Sequence, residues 1–253
     1  MKADIRDRVI ILTGLAAIAL PSWYYTARAA WEMYHMEQAP NMWMPHGGPW
    51  TLTEFWLLFA MWTVMMAAMM LPSITPLTLL FASASRGCEE CRPYAATAWF
   101  VSGYLVSWTL FSAAVTGLQY GLHQAAILSP MMISRSAQFG SLLLCVAGVF
   151  QLTPWKYQCL GHCRTSGDMV RGCIEPGLKR AFRIGFQHGI CCMGCCWAVM
   201  ALLFVTGVMN LTWVVALTAL VLLERVMPGG QWLARAAGAT FIAWGVFLAL
   251  AKG

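Results

Sequence analysis

Apolar segments long enough to cross a membrane recur along most of this chain. A transmembrane helix needs about 20 mostly apolar residues, and seven segments approach or exceed that length. They are Arg8–Tyr25, Thr51–Pro72, Tyr94–Gly117, Phe139–Trp155, Phe182–Val208, Leu211–Met227 and Ala234–Ala251. Charged residues make up only 10% of the 253 residues, against roughly 25% in a soluble domain. The sequence therefore predicts one all-α polytopic bundle over residues 1–253, with about seven transmembrane helices.

The basic residues are distributed unevenly between the segments that connect these helices. If the N-terminus is cytoplasmic, every Lys and Arg except Arg28, Arg135 and Lys252 falls on the inner side. Cytoplasmic loops carry such an excess of basic residues. We therefore predict a cytoplasmic N-terminus and Cys-bearing inner loops near 73–93 and 156–181. The net charge of +6 reflects this orientation, and it does not indicate a nucleic-acid partner.

Four cysteines and a histidine cluster at the start of the fifth segment. His188, Cys191, Cys192, Cys195 and Cys196 follow one another at helical spacing and share one face of a helix. A single buried cysteine usually behaves as a small hydrophobe. Four of them beside a histidine favour metal or redox chemistry, since soft sulfur ligands select Cu(I), zinc or iron–sulfur clusters.

Two further cysteine pairs lie in the predicted inner loops. Cys88 and Cys91 form a C-x-x-C pair, and Cys159 and Cys163 form a C-x-x-x-C pair beside His162. The two pairs could close a tetrahedral metal site between the loops, although the first pair could equally be a redox pair or incidental. The second pair could pass a soft ion to the Cys-rich helix. Structural disulfides are not expected in a reducing compartment.

Methionines form another stripe, on the second apolar segment. Met61, Met65 and Met69 are spaced by four and share a helical face. Such a stripe is more often core filler than ligand, but thioethers suit Cu(I) and do not suit hard cations. We expect this stripe to face the cysteine and histidine stripe across the bundle interior, with Met65 or Met69 within contact distance of that cluster. The outer segment that follows the first helix has further residues that could collect copper or form an interfacial belt: Met33, His35, Met36, Met42, Met44 and His46.

Polar residues inside the apolar segments are few. Glu54 and Glu224 lie near segment ends, and carboxylates inside a membrane are usually functional or paired. Arg225 adjoins Glu224, but its side chain points about 100° away on a helix, which leaves that pairing open. Asn210 is expected to cap the sixth helix.

Two blocks of this sequence resemble a known family. The first is M-W-x-x-M-M-x-A-M-M-L-P at Met61–Pro72, and the second is G-x-x-C-x-G-C-C-W-x-x-M at Gly189–Met200. F-x-x-G-x-M-N at Phe204–Asn210 and the acidic Glu224 follow. Together they resemble a bacterial family of predicted metal-binding integral membrane proteins of unknown function, over the second to the sixth helix. The resemblance implies metal binding in a bacterial inner membrane and no particular reaction.

Individual cysteines fit that family pattern to different degrees. Cys159 and Cys163 match it, whereas Cys191 and the pair Cys88 and Cys91 depart from it. A metal role is therefore carried over to the first two and left open for the other three.

These observations favour a copper-handling membrane protein that binds Cu(I), with zinc or iron as alternatives. The proposed donors come from three parts of the chain: His188, Cys192, Cys195, Cys196, Cys159, Cys163, Met65 and Met69. The ion would be transported or delivered to a copper chaperone or a membrane subunit. No ATP-binding motif is present to drive a pump.

Two other functions stay open at this point. A metal-dependent membrane oxidoreductase or monooxygenase would act on a small apolar substrate, a quinone or O2, and an open coordination position would favour it. A thiol redox protein is less favoured, because neighbouring thiols on one helix are badly placed for a disulfide. Whether the protein is an enzyme is not determined by these patterns.

Overall fold

The computed structural model describes residues 5–35, 51–85, 93–124, 137–171 and 177–251. Within those ranges the chain forms nine helical segments and no strand. They are α1 (Ile5–Tyr34), α2 (Leu52–Ser85), α3 (Pro93–Gln124), α4 (Ala137–Leu152), α5 (Pro154–Arg171), α6 (Leu178–Ala201), α7 (Leu203–Thr206), α8 (Leu211–Val226) and α9 (Gly230–Ala251). The predicted all-α class is confirmed.

Fewer helices than predicted are long and apolar enough to cross a membrane. In the described part of the chain, α1, α2, α3, α9 and the continuous stretch Leu178–Thr206 meet that requirement individually. The segments Gln138–Leu152 and Pro154–Gly161 meet it only as one pair, bent by 60°. Helix α8 has just 16 residues. The described residues therefore contain five to six candidate spans, and the predicted count of seven is not reached.

Helix boundaries also differ from those expected. Helix α2 continues through Pro72 and Pro76 to Ser85, and α5 occupies most of the region that we predicted as the second Cys-bearing inner loop. Proline is tolerated inside membrane helices, because neighbouring groups can satisfy the backbone atoms that it leaves without a partner. Cys159 and Cys163 consequently lie on a helix and have a defined orientation.

Local capping explains where several helices begin. The Glu54 carboxylate accepts hydrogen bonds from the backbone nitrogen and the hydroxyl of Thr51, at 2.6 and 2.9 Å. Thr51 accepts in return from the Glu54 backbone nitrogen at 3.3 Å, so the two residues form a capping box. The predicted cap at Asn210 is confirmed, since its side chain accepts from the Trp213 backbone nitrogen at 3.5 Å.

Close helix packing fixes the position of the Cys-rich helix α6. Its most extensive neighbour is α3. A side chain at Gly185 would overlap the Phe100 carbonyl, and one at Gly103 would overlap the Phe182 carbonyl. Small residues allow the backbones of apolar helices to approach in this way. The cysteines of α6 are thereby held at a set rotation in the bundle.

Candidate metal centre

Helices α5 and α6 bring thiols from two parts of the chain together. The Cys163 thiol donates to the Cys191 sulfur, with 3.1 Å between the two sulfur atoms. The Cys191 thiol donates to the Cys159 carbonyl oxygen at 3.6 Å. Cys163 is also close enough to Cys195 for their thiols to interact electrostatically. Cys191, which departs from the family pattern, is thus the direct neighbour of an α5 cysteine.

The other three cysteines of α6 are completely buried. Cys192, Cys195 and Cys196 each expose 2% or less of their surface. The thiols of Cys195 and Cys196 donate to the Cys192 carbonyl oxygen at 3.1 and 3.0 Å. These bonds to the preceding turn satisfy the thiol hydrogens, as serine and threonine hydroxyls do in helices. The sulfur atoms therefore lie in the bundle interior and out of contact with solvent.

Tyr104 of α3 connects the Cys-rich helix to the methionine-rich one. Its hydroxyl oxygen lies 3.2 Å from the Cys192 sulfur and 3.3 Å from the Met70 carbonyl oxygen. A phenol has a single hydrogen to donate. It can donate to Met70 while accepting from the Cys192 thiol, or it can turn and donate to a Cys192 thiolate. Tyr104 can therefore stabilise either protonation state of this sulfur.

Arg225 of α8 contacts the same group of thiols. Its Nη2 atom lies 3.2 Å from the Cys195 sulfur, and its Nη1 atom lies 3.3 Å from the Ser73 hydroxyl oxygen. Among the described residues, no carboxylate forms an ion pair with this guanidinium. The cysteines of α5 and α6 thus lie beside a permanent positive charge.

The neighbouring Glu224 faces a different set of partners. One of its carboxylate oxygens accepts from Lys156 Nζ at 2.7 Å, and the other accepts from Gln151 Nε2 at 2.8 Å. The side chains of Lys156 and Glu224 expose 0% and 2% of their surface. The open question about Glu224 is settled by this ion pair, which joins α5 to α8.

A cavity of about 360 Å³ lies beside Cys163 and Arg225. Its polar lining consists of Ser73, Cys163, His188 and Arg225. Apolar residues of α2 and of the turn between α8 and α9 form the rest of its wall. An ion or small ligand in this cavity would have access to an imidazole, a thiol and a guanidinium together.

The methionine stripe of α2 faces the interior of the bundle. Met61, Met65 and Met69 are all buried, and they belong to the same apolar core as the α6 cysteines. The backbone of the adjacent Met70 is linked to Cys192 through Tyr104. Direct ligation by Met65 or Met69 stays a prediction.

The described cysteines are free thiols, and they do not form a closed metal site as they stand. No group of three or more His, Cys, Asp or Glu side chains in the described ranges is arranged to hold a metal ion. Several predicted donors lie outside those ranges: Cys88, Cys91, Met36, Met42, Met44 and His46. Of the outer residues that are described, Met33 is buried in the core and His35 stacks on Trp31 at a centroid distance of 4.2 Å.

Three residues of this site are not predicted from the sequence, or are predicted in another role. Tyr104 and Ser73 carried no pattern, since their importance comes from contacts between helices. The sequence suggests Arg225 only as a partner for Glu224, although a cation within an apolar segment is itself an indication of function.

Comparison with known proteins places the chain in a copper-related family. No curated protein and no solved structure matches it. The model of the PpoB2 family, described as a copper chaperone, matches residues 59–248. That range covers most of the chain and includes both the methionine stripe and the Cys-rich helix. The metal-binding character that the sequence blocks implied is therefore supported as copper-related. Because the match extends over well more than half of the chain, the chain belongs to the PpoB2 family, described as a copper chaperone.

Proposed function

We propose that this copper chaperone holds Cu(I) as cargo on thiolates of α5 and α6 inside a bacterial inner membrane and passes it to a partner. The observation that carries the proposal is the convergence of the two helices. Cys163 of α5 lies 3.1 Å from Cys191 of α6, beside three fully buried cysteines of the same helix. Soft thiolate ligands in an interior without water favour Cu(I) over hard cations.

The sulfur atoms must shift slightly to accept an ion. A metal about 2.3 Å from each of two sulfurs, the length of a Zn–S bond, separates them by roughly 3.8 Å in a tetrahedral site and roughly 4.6 Å in a linear one. The Cys163–Cys191 pair would therefore open by about 1 Å. Small local shifts of this kind let closely spaced thiolates exchange an ion, so Cu(I) can move between α6 and the α5 pair Cys159 and Cys163.

His188, Cys192, Cys195 and Cys196 form the main site of this proposal. His188 reaches it from the cavity, and Met65 and Met69 of α2 are the proposed thioether donors because they are buried in the same core. Ligands from several helices would enclose the ion and exclude lipid from it.

The membrane arrangement is also part of the proposal. The asymmetry of the basic residues supports a cytoplasmic N-terminus, and residues on several helices would lie in the bilayer. Delivery would be to a copper-binding protein or to a partner membrane subunit. The site has buried cysteines on one side and an open cavity on the other. This arrangement suits the transfer of an ion better than its permanent storage.

The test replaces Cys192, Cys195 and Cys196 with serine in the full chain. We expect the purified triple variant to lose most of its bound copper, measured by elemental analysis and by competition with a chromophoric Cu(I) chelator. Cys145→Ser is the matched control, because Cys145 is a free thiol on α4 outside the proposed site. Wild-type copper retention by the triple variant, or an equal loss in the control, would refute the assignment.

A further inference from the structure

Arg225 is a half-buried cation with no acidic partner among the residues that the structure describes. Its two terminal nitrogens contact the neutral Ser73 hydroxyl and the Cys195 sulfur. The nearest acidic residue in the sequence, Glu224, has both carboxylate oxygens occupied by Lys156 and Gln151. In the described part of the chain Arg225 therefore has only thiols to balance its charge.

Such an arrangement is costly without a function. Charged groups in an apolar interior require an opposite charge or a full set of hydrogen bonds, and the Nε atom of Arg225 is buried with no hydrogen-bond partner in the described residues. A guanidinium cannot escape the cost by losing its proton, because it stays charged at any physiological pH. Within the described residues, the cysteines can supply the opposite charge when they act as metal-bound thiolates, and Cys195 lies in direct contact with the guanidinium.

We infer that Arg225 is the counter-charge of a monovalent metal ion held by two thiolates, with the other cysteines of the proposed site present as neutral thiols, and that it makes the site prefer monovalent over divalent soft metals. This inference rests on the proposed copper site. One monovalent cation and two thiolates carry a net charge of minus one, which the guanidinium cancels. A divalent cation with the same two thiolates is already neutral, so Arg225 leaves it with an uncompensated positive charge. With Arg225 present, a divalent ion forms an electrically neutral site only if a third thiolate binds it.

The geometry suits this role. The Ser73 hydroxyl holds one side of the guanidinium at 3.3 Å, and the other side lies 3.2 Å from the Cys195 sulfur. Arg225 also borders the cavity beside Cys163 and His188, so its charge acts on an ion that approaches through that space. Tyr104 contributes a hydrogen bond to Cys192, but it supplies no charge and cannot replace Arg225.

The experiment compares the affinities of two classes of ion for the purified full chain. Cu(I) and Ag(I) serve as monovalent probes and Cd(II) as the divalent probe, each measured by competition with a chelator of known affinity. In Arg225→Met, the ratio of monovalent to divalent affinity should fall about tenfold or more, because a charge in direct contact with the sulfur is removed. Arg225→Lys keeps the charge and should keep most of the ratio.

Ser73→Ala provides a second variant that does not alter the charge. Loss of its hydrogen bond releases the guanidinium from its position, and the ratio should fall in the same direction by a smaller factor. Arg235→Met is the control, since the Arg235 guanidinium lies over the rings of Tyr157 and Trp232 at 5.4 and 4.9 Å and has no contact with the thiols that the structure describes.

The outcomes separate this inference from the proposed function. A general loss of folding lowers both affinities and leaves their ratio unchanged. An unchanged ratio in Arg225→Met and Ser73→Ala variants whose helical circular dichroism matches that of the wild type, or an equal fall in Arg235→Met, would overturn the role of Arg225. If the serine triple variant binds Cu(I) and Ag(I) as well as the wild type does, the thiol site itself is wrong, whatever the ratio shows.

Discussion

Replacing Lys156 with methionine should destabilise the bundle by about 3–5 kcal/mol, because it leaves the Glu224 carboxylate buried without its cation. Lys156 Nζ lies 2.7 Å from Glu224 Oε2, and neither side chain exposes more than 2% of its surface. After the substitution the carboxylate keeps the hydrogen bond from Gln151 Nε2, at 2.8 Å, but it no longer faces the positive charge of Lys156.

The magnitude follows from opposing terms. At an effective dielectric constant of about 20, two charges separated by 2.7 Å attract each other by roughly 6 kcal/mol. Burying the two ions costs a comparable amount, so the intact pair contributes little net stability. Removing one partner eliminates the attraction while the cost of burying the other remains. Removing both charges should therefore be far less harmful than removing one.

The assay is a double-mutant cycle built on Lys156→Met and Glu224→Gln. The new amide at position 224 can still accept from Gln151, so the double variant keeps a hydrogen-bonded, uncharged network. Free energies of unfolding would be measured by reversible SDS titration in mixed micelles, followed by tryptophan fluorescence. We expect the double variant to lie within about 1–2 kcal/mol of the wild type, with a coupling energy of roughly 3 kcal/mol or more.

This ion pair also positions the metal site. It joins α5, which carries Cys159 and Cys163, to α8, which carries Arg225. Copper retention should therefore fall in Lys156→Met and recover in the double variant. A single variant that loses less than about 1 kcal/mol, or a double variant as unstable as the single one, would refute the reasoning.

Two further predictions concern helix packing and the methionine stripe. Gly185→Ala should lower the free energy of unfolding by about 1–3 kcal/mol or more, because its Cβ would overlap the Phe100 carbonyl. Gly14→Ala, with nothing within 4 Å of its Cβ, should be neutral or slightly stabilising. Equal thermal unfolding midpoints for the two variants would contradict the packing argument. Met65→Leu with Met69→Leu conserves volume and should cost less than about 1.5 kcal/mol each, yet should weaken Cu(I) retention in chelator competition. Wild-type retention would make these methionines core filler.

The sequence alone determined the class of the fold and the helical face that carries the cysteines of α6. Apolar segments of about 20 residues can bury their backbone polar groups only as helices in a bundle, so composition was sufficient for the all-α class. Helical periodicity was sufficient to place Cys192, Cys195 and Cys196 on one face, and that face is buried. The Asn210 cap followed from local chemistry in the same way.

The number of spans could not be read from hydropathy. Hydropathy depends on local composition, whereas the 60° bend between α4 and α5 and the 16-residue length of α8 depend on turns and packing. The bend between α4 and α5 arises partly from local chemistry at Thr153 and Pro154. The Thr153 hydroxyl accepts from the Lys156 backbone nitrogen at 3.4 Å, which begins α5 in a new direction, with a proline at its first position. The region predicted as one apolar helix followed by a loop thus forms two helices, α4 and α5.

The pairing of groups across helices was decided by the tertiary structure alone. Cys163 meets Cys191 across 28 positions of the chain, Arg225 meets Cys195 across 30, and Arg225 meets Ser73 across 152. Each contact depends on how far one helix is rotated and shifted against another, which is set by close approaches such as that at Gly185. Sequence periodicity shows which face of a helix carries the thiols. It contains no information on which neighbouring helix that face meets, because rotation and shift arise from the packing of the whole bundle.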